Sequence, residues 1–135
     1  MNPFENLKKK KTLLVDDDEL IRDSLSIAFK KKGFLLQTAE TAEEGLQALK
    51  REAFDIIISD FKLPRMNGLE FLKLAAASHP NIHKILITAY GDENIAAEAL
   101  EIGVHEFVEK PFTVKALLES LSMMIKNGKG KRQAP

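Results

Sequence analysis

The sequence predicts an α/β fold: a doubly wound parallel sheet of five strands with helices on both faces. Three observations carry this prediction. Short apolar runs alternate five times with segments of helical spacing, the pattern of consecutive strand–helix units. The third run, Asp55-Ile56-Ile57-Ile58-Ser59, is continuous and β-branched, as expected of a strand buried on both faces. The length, 135 residues, suits one domain. A domain of this size buries about two-thirds of its unfolded surface and needs no covalent staples.

Thr12-Leu13-Leu14-Val15 is the first strand and stops at Asp16. Leu20, Ile21, Leu25, Ala28 and Phe29 recur at helical spacing within Glu19–Lys32. Asp18 is the expected N-cap, and Gly33 follows three lysines that suit a helix C-terminus. Phe34-Leu35-Leu36 is the second strand. Thr41 with Glu44 reads as a capping box opening a helix through Glu52. The third strand ends at Asp60, and Leu69, Phe71, Leu72, Ala75 and Ala76 mark a helix over Asn67–Ser78. Lys84-Ile85-Leu86-Ile87 is the fourth strand, ending at Thr88. An alanine-rich helix over Asp92–Ile102 closes at Gly103. Val104–Val108 is the fifth strand, ending before Lys110-Pro111. Leu117, Leu118, Leu121, Met124 and Ile125 face inward from the last helix, Thr113–Lys126.

The ends differ from the middle. Residues 1–10 read as a basic N-terminal tail, 11–126 as the folded domain, and 127–135 as a flexible C-terminal tail or the start of a linker. The 20 basic and 20 acidic residues cancel over the whole chain, but residues 12–125 hold 12 of the former against 19 of the latter, a net −7. An acidic domain between basic ends gives no case for direct nucleic-acid binding by the domain. No apolar run approaches the ~20 residues of a membrane span, and no secretory signal is visible. With no cysteine, disulfides and thiolate metal sites are excluded. A cytoplasmic location is the resulting expectation.

In sheets of this kind, working residues gather beyond the C-terminal ends of the strands. Here those positions hold Asp16, Asp17 and Asp18, then Asp60, then Thr88, then Lys110. Carboxylates converging on one edge repel unless a cation sits among them, and all-oxygen donors with one or two carboxylates suit Mg²⁺. A lysine and a hydroxyl beside them would hold an anion, so the set is suited to phosphoryl chemistry. Each residue alone has an ordinary explanation as a turn, cap or surface residue; the coincidence at four strand ends carries the argument. His79, His83 and His105 have no ligand spacing and read as surface or packing residues.

The stretches Leu13–Glu19, Ser59–Gly68, Ile87–Gly91 and Glu109–Phe112, taken in order, resemble the receiver domain of two-component response regulators, the CheY-like family. The Thr88-Ala89-Tyr90-Gly91 stretch and the basic Lys62 are most similar to NtrC-type receivers. The resemblance implies a flavodoxin-like (βα)5 sheet in strand order 2-1-3-4-5. It implies that Asp60 is the phosphoacceptor, and that Asp17, Asp60 and the backbone carbonyl of Lys62 ligate Mg²⁺, with Asp16 acting through water and Mn²⁺ able to substitute. Thr88 would bind a phosphoryl oxygen, Lys110 would pair with the phosphoryl group, and the Lys110–Pro111 bond would be cis. Phe107 takes the place of the switch aromatic. The implied partners are a histidine kinase or histidine phosphotransfer protein and an output domain or effector, with a phosphorylation-dependent homodimer as a further expectation. Lys62 and Tyr90 stand where attacking water would pass, so Lys62→Asn with Tyr90→Ala should shorten the acyl-phosphate lifetime; an unchanged lifetime removes that role.

Two other readings are open to the residues. Asp16-x-Asp18 after the first strand has the spacing of a haloacid-dehalogenase-type phosphatase, although Glu19-Leu20 follows where Gly-Thr is expected. A receiver-like interaction module that takes no phosphate is the third.

Overall fold

The computed structural model describes residues 4–89 and 92–127. Tyr90 and residues 128–135 of the expected tail 127–135 lie outside the described residues, while Asn127 is the last residue of a helix. Five parallel strands, β1 (Lys11–Val15), β2 (Leu35–Ala39), β3 (Ile56–Asp60), β4 (His83–Thr88) and β5 (Glu106–Glu109), form one sheet in the order β2-β1-β3-β4-β5. The helices are α1 (Glu19–Lys32), α2 (Ala42–Arg51), α3 (Gly68–Ser78), α4 (Ala96–Glu101) and α5 (Val114–Asn127). The predicted fold class and strand order are therefore observed.

Side chains alternate across the strands and build two cores. Leu13, Val15, Ile57 and Leu86 pack with residues of α2, α3 and α4. Leu14, Ile58, Ile85 and Ile87 pack with residues of α1 and α5 on the other face. β3 is buried at every position, which is why it reads as an unbroken apolar run rather than an alternation.

Local signals set most boundaries. Asp18 caps α1 by accepting from the Leu20 N–H, and Gly33 ends it at φ 77°, a left-handed conformation that glycine adopts without penalty. Thr41 accepts from the Glu44 N–H, but Glu44 accepts from the Glu40 N–H rather than from Thr41, so the expected box is closed one residue early. The complete capping box lies instead between Asn67 and Glu70 at the start of α3.

Four expectations need correction. β2 runs over 35–39, because Phe34 is used against Phe29, edge to face at 5.8 Å, and β1 pairs from Leu35 onward. β5 begins at Glu106, since the Val104 N–H is still bonded to the Ala99 carbonyl at the end of α4. The segment predicted as one helix over Asp92–Ile102 is a 3-10 turn, Glu93–Ile95, followed by the short α4. Asp92 turns its carboxylate back to the Ala89 N–H, and Ile95 at the N-cap offers no side-chain acceptor. Finally, residues 4–10 are not a solvated tail: Glu5–Leu7 form a 3-10 turn and Leu7 is buried, because an apolar residue next to the α1–α5 core gains more by docking than by staying in water.

Candidate functional site

Register alone brings the acidic residues together. Val15 is level with Ser59, so Asp16 lies level with Asp60, while Asp60 is level with Ile87 and Thr88 with Glu109. Neighbouring strands are about 4.8 Å apart, so Asp16, Asp60, Thr88 and Lys110 follow one another along a single edge. Asp60 is the last residue of β3 rather than the first beyond it.

Asp16 is fully buried, and its whole frame is tied down. Its N–H donates to the Ala39 carbonyl at 3.1 Å, its own carbonyl accepts from the Arg22 guanidinium at 2.9 Å, and its Oδ1 accepts from the Asp18 N–H at 2.9 Å. Its Oδ2 is buried without a hydrogen bond and lies 3.7 Å from Lys110 Nζ. Asp60 is 5% exposed and accepts from Lys110 Nζ at 3.1 Å, with the Lys62 N–H as a further donor. Among the described residues, Asp16, Asp17 and Asp60 bring carboxylate oxygens within 4.8 Å of one another.

The electrostatics follow from this crowding. Burial raises the Asp16 carboxyl from 3.8 to about 6, with the Asp18 N–H opposing and the Asp60 charge adding. Burial also lifts Asp60, against the pull of Lys110. Burial alone would lower the Lys110 ammonium, but the neighbouring Asp16 and Asp60 carry it upward instead. Three carboxylate donors, with an unbonded buried oxygen on Asp16 beside them, fit a divalent cation, and Mg²⁺ in particular where water completes the shell. Ionised Asp16 and Asp60 are costly until such a charge arrives.

This predicts a pH dependence. Because Asp16 holds its proton more tightly in the folded chain, its cost to stability is present above about pH 6 and is relieved as pH falls toward 3.8. Without metal, Tm should therefore rise as pH is lowered from 7.5 to 5.5. Mg²⁺ must displace the same proton, so its apparent affinity should fall about tenfold per unit below pH 6. Calorimetry with and without Mg²⁺ checks both; an affinity flat from pH 7 to 5 would contradict the assignment of Asp16.

The other predicted residues are placed as follows. Thr88 is half-buried and lines, with Asp92, Ile95 and Phe107, a cavity of about 250 Å³. Phe107 is 36% exposed at the rim of that cavity. Lys62 is exposed, and the Lys110–Pro111 peptide bond is cis. Asp18, the second acid of the phosphatase reading, is exposed and occupied as the α1 cap; the residue joined to Asp16 through Lys110 is Asp60.

Sequence reasoning gave no role to Gly68 or Arg22. A Cβ on Gly68 would stand 2.0 Å from the Asp60 carbonyl oxygen and 2.9 Å from Ser59 Oγ, so α3 begins directly against the backbone of Asp60. The stretch Ser59–Gly68 contained the glycine but not its reason. Arg22 is one helical turn past the Asp18 cap, a position that shows no sequence signal for its bond to Asp16. A second feature was also unforeseen: an apolar groove of about 550 Å³ lined by Leu20, Ile21, Leu25, Pro111, Phe112 and Val114, with Lys110 at its edge. Leu20 is 76% exposed there.

Comparison with known proteins places these observations. The family profile described as response regulator receiver domain matches residues 12–122. Response regulator protein FleR of Pseudomonas aeruginosa is 38% identical over 109 residues, 81% of this chain and 23% of that protein. The DNA-binding transcriptional regulator NtrC of Proteus hauseri is 32% identical over 127 residues, 94% of this chain and 27% of that protein. The chain thus spans about a quarter of the length of these two relatives. The crystal structure of a CheY-like response regulator receiver domain protein from Methanospirillum hungatei superposes with a TM-score of 0.81 at 33% identity, over 88% of this chain and 98% of that one.

Proposed function

The chain belongs to the response regulator receiver domain family, and on that premise we propose that Asp60 accepts a phosphoryl group from a histidine kinase or histidine phosphotransfer protein. The observation that carries the proposal is the Asp60–Lys110 contact at 3.1 Å inside a three-carboxylate cluster. A carboxylate is a weak nucleophile, and attack on phosphorus needs mainly alignment and neutralised charge.

Asp60 is aligned from two sides, by the Lys62 N–H and by Lys110. One carboxylate oxygen attacks phosphorus while the bond to the donor's nitrogen or oxygen breaks, leaving an acyl phosphate on Asp60. Lys110, already between Asp60 and Asp16, pairs with the incoming anion. Asp17, Asp60 and the Lys62 carbonyl, with Asp16 through water, would hold the divalent cation. Bound Mg²⁺ supplies charge neutralisation to the phosphoryl oxygens. The thiol-free, hard-oxygen site accepts Mn²⁺ by the same chemistry.

The acyl phosphate adds about −1.5 to −2 charges and strong acceptor oxygens at the Thr88 edge. Thr88 is drawn toward them, and the cavity it shares with Phe107 gives the apolar ring room to move inward. The α4–β5–α5 surface then shifts between two packings, a population shift rather than a new fold. Relatives named as transcriptional regulators support a transcriptional output through a further domain or effector. The receiver itself binds no nucleic acid in this reading and works in the cytoplasm as a signalling domain. Among the described residues no helix is long and apolar enough to cross a membrane.

The phosphodonor protein must reach Asp60 past Lys110, and the apolar groove beside Lys110 is the surface it would use. Leu20→Asp should slow transfer from a phosphorylated histidine protein at least tenfold while leaving labelling by acetyl phosphate unchanged. Equal loss with both donors would remove the groove from the docking surface. The primary test is intact-mass detection of a single, Mg²⁺-dependent phosphoryl group after incubation with acetyl phosphate. Absence of any label, together with no Mg²⁺ binding at millimolar levels, would favour a receiver-like interaction module.

A further inference from the structure

Residues 4–10 precede the matched segment 12–122 yet are built into the domain. Leu7 is 3% exposed and belongs to the same core as Leu25, Phe29, Leu121 and Met124. Phe4 is half-buried against that core, and the Lys32 ammonium lies 5.9 Å from its ring centre. Asn6 and Ser122 bond reciprocally: Asn6 Nδ2 donates to the Ser122 carbonyl at 3.4 Å, and Ser122 Oγ donates to Asn6 Oδ1 at 3.3 Å. The Leu7 N–H donates to the Phe4 carbonyl at 3.0 Å and the Lys10 N–H to the Leu7 carbonyl at 3.1 Å, so the segment turns compactly before entering β1.

The attachment point is specific. Ser122 lies in the C-terminal half of α5 and meets Asn6 just before β1 begins, so the attachment is at the N-terminal edge of the parallel sheet, opposite the strand end that holds Asp60. Deeply packed and tied to the N-terminal segment, α5 contrasts with α4. That helix has six residues, follows a 3-10 turn and lacks a side-chain cap. Local stability follows such differences in packing and capping.

We propose that residues 4–10 act as a strap that fixes the C-terminal half of α5, residues 119–127, so that change originating at Asp60 runs through residues 88–118 and stops there. The confinement rests on Asp60 being the phosphoacceptor; the strap does not.

Hydrogen exchange measured by mass spectrometry tests both halves on the full chain and on a chain lacking residues 1–7. Without phosphodonor, exchange over 119–127 should be at least ~10-fold faster in the shortened chain, while β1 and β3 change less than about twofold. Tm should fall by about 5 °C. With acetyl phosphate and Mg²⁺, exchange in the full chain should change beside Asp60 and over 88–118 but not over 119–127, and in the shortened chain the change should spread into 119–127. If the shortened chain fails to fold, Asn6→Ala, which keeps Leu7, should still speed exchange over 119–127 about threefold. Unchanged exchange in α5, or an increase matched in β1 and β3, overturns the strap. A full chain whose residues 119–127 respond to phosphorylation as strongly as 88–118 overturns the confinement. Failure of acetyl phosphate to label Asp60 would instead sink the phosphoacceptor reading and leave the comparison without phosphodonor intact.

Discussion

Asp60→Asn is expected to abolish Mg²⁺-dependent phosphorylation by acetyl phosphate, with no label above background. The amide cannot attack phosphorus, and the neighbouring Asp16 is poorly placed to substitute. Asp16 is fully buried, with Oδ1 committed to the Asp18 N–H and its carbonyl held by Arg22. The loss should come without unfolding. Burial already raises the Asp60 carboxyl, so its charge costs stability in the metal-free chain, and the neutral amide removes that cost while keeping an acceptor for Lys110. A label that moved to Asp16 would favour the phosphatase chemistry of Asp16-x-Asp18. A label that persisted on Asp17 would mean that the cluster, and not Asp60, is the acceptor. Peptide mapping of the labelled chain distinguishes these outcomes, and far-UV circular dichroism establishes that the variant is folded.

Gly68→Ala should have the next largest effect, and it should act on stability and chemistry together. The new methyl group would lie 2.0 Å from the Asp60 carbonyl oxygen and 2.8 Å from its carbonyl carbon, and both are backbone atoms that no rotamer change can clear. Either α3 moves off β3 or Asp60 moves. Gly68 also donates its N–H to the Phe61 carbonyl at 2.8 Å, directly after Asp60, and the Asn67–Glu70 capping box holds α3 at this place. Overpacking against fixed backbone should cost about 3 kcal/mol. A displacement of about 1 Å at Asp60 should slow phosphorylation about 100-fold in the fraction that folds. Urea unfolding and single-turnover labelling measure the two effects separately. Wild-type stability with wild-type rate would show that α3 can recede without cost, and that Gly68 does not position the site.

The two variants separate what each kind of information can reach. Asp60 was legible because its chemistry is local: a carboxylate after a buried β-branched run, with acids, a hydroxyl and a lysine at the other strand ends. Periodicity gave the order of elements, and parallel topology then gave one common edge. Gly68 was legible only as part of a motif, since its reason is a close approach between two backbone segments that are eight residues apart. Arg22 left no trace, because a guanidinium bonding to a carbonyl of its own helix entry looks like any exposed basic residue on an amphipathic helix. The α4 region misled the periodicity argument for a related reason. Alanine favours helix throughout Asp92–Ile102, but Asp92 spends its carboxylate on the Ala89 N–H, and the first turn tightens to a 3-10 form without a cap.

The N-terminal segment makes the same point at the scale of the domain. The run of lysines that begins at Lys8 gave residues 1–10 the composition of a solvated tail. Composition averages over positions, whereas burial is decided one side chain at a time. Leu7 and Phe4 have partners only once α1 and α5 lie side by side. The sequence by itself determined the alternating elements, the sheet they form and the identity of the charged groups at its edge, because helix and strand periodicity and strand-end position are properties of neighbouring residues. The tertiary structure alone decided which oxygen of Asp16 remains unbonded, why position 68 must lack a side chain, and that Asn6 meets Ser122 across 116 positions of chain. Those depend on distances between segments that no local pattern encodes.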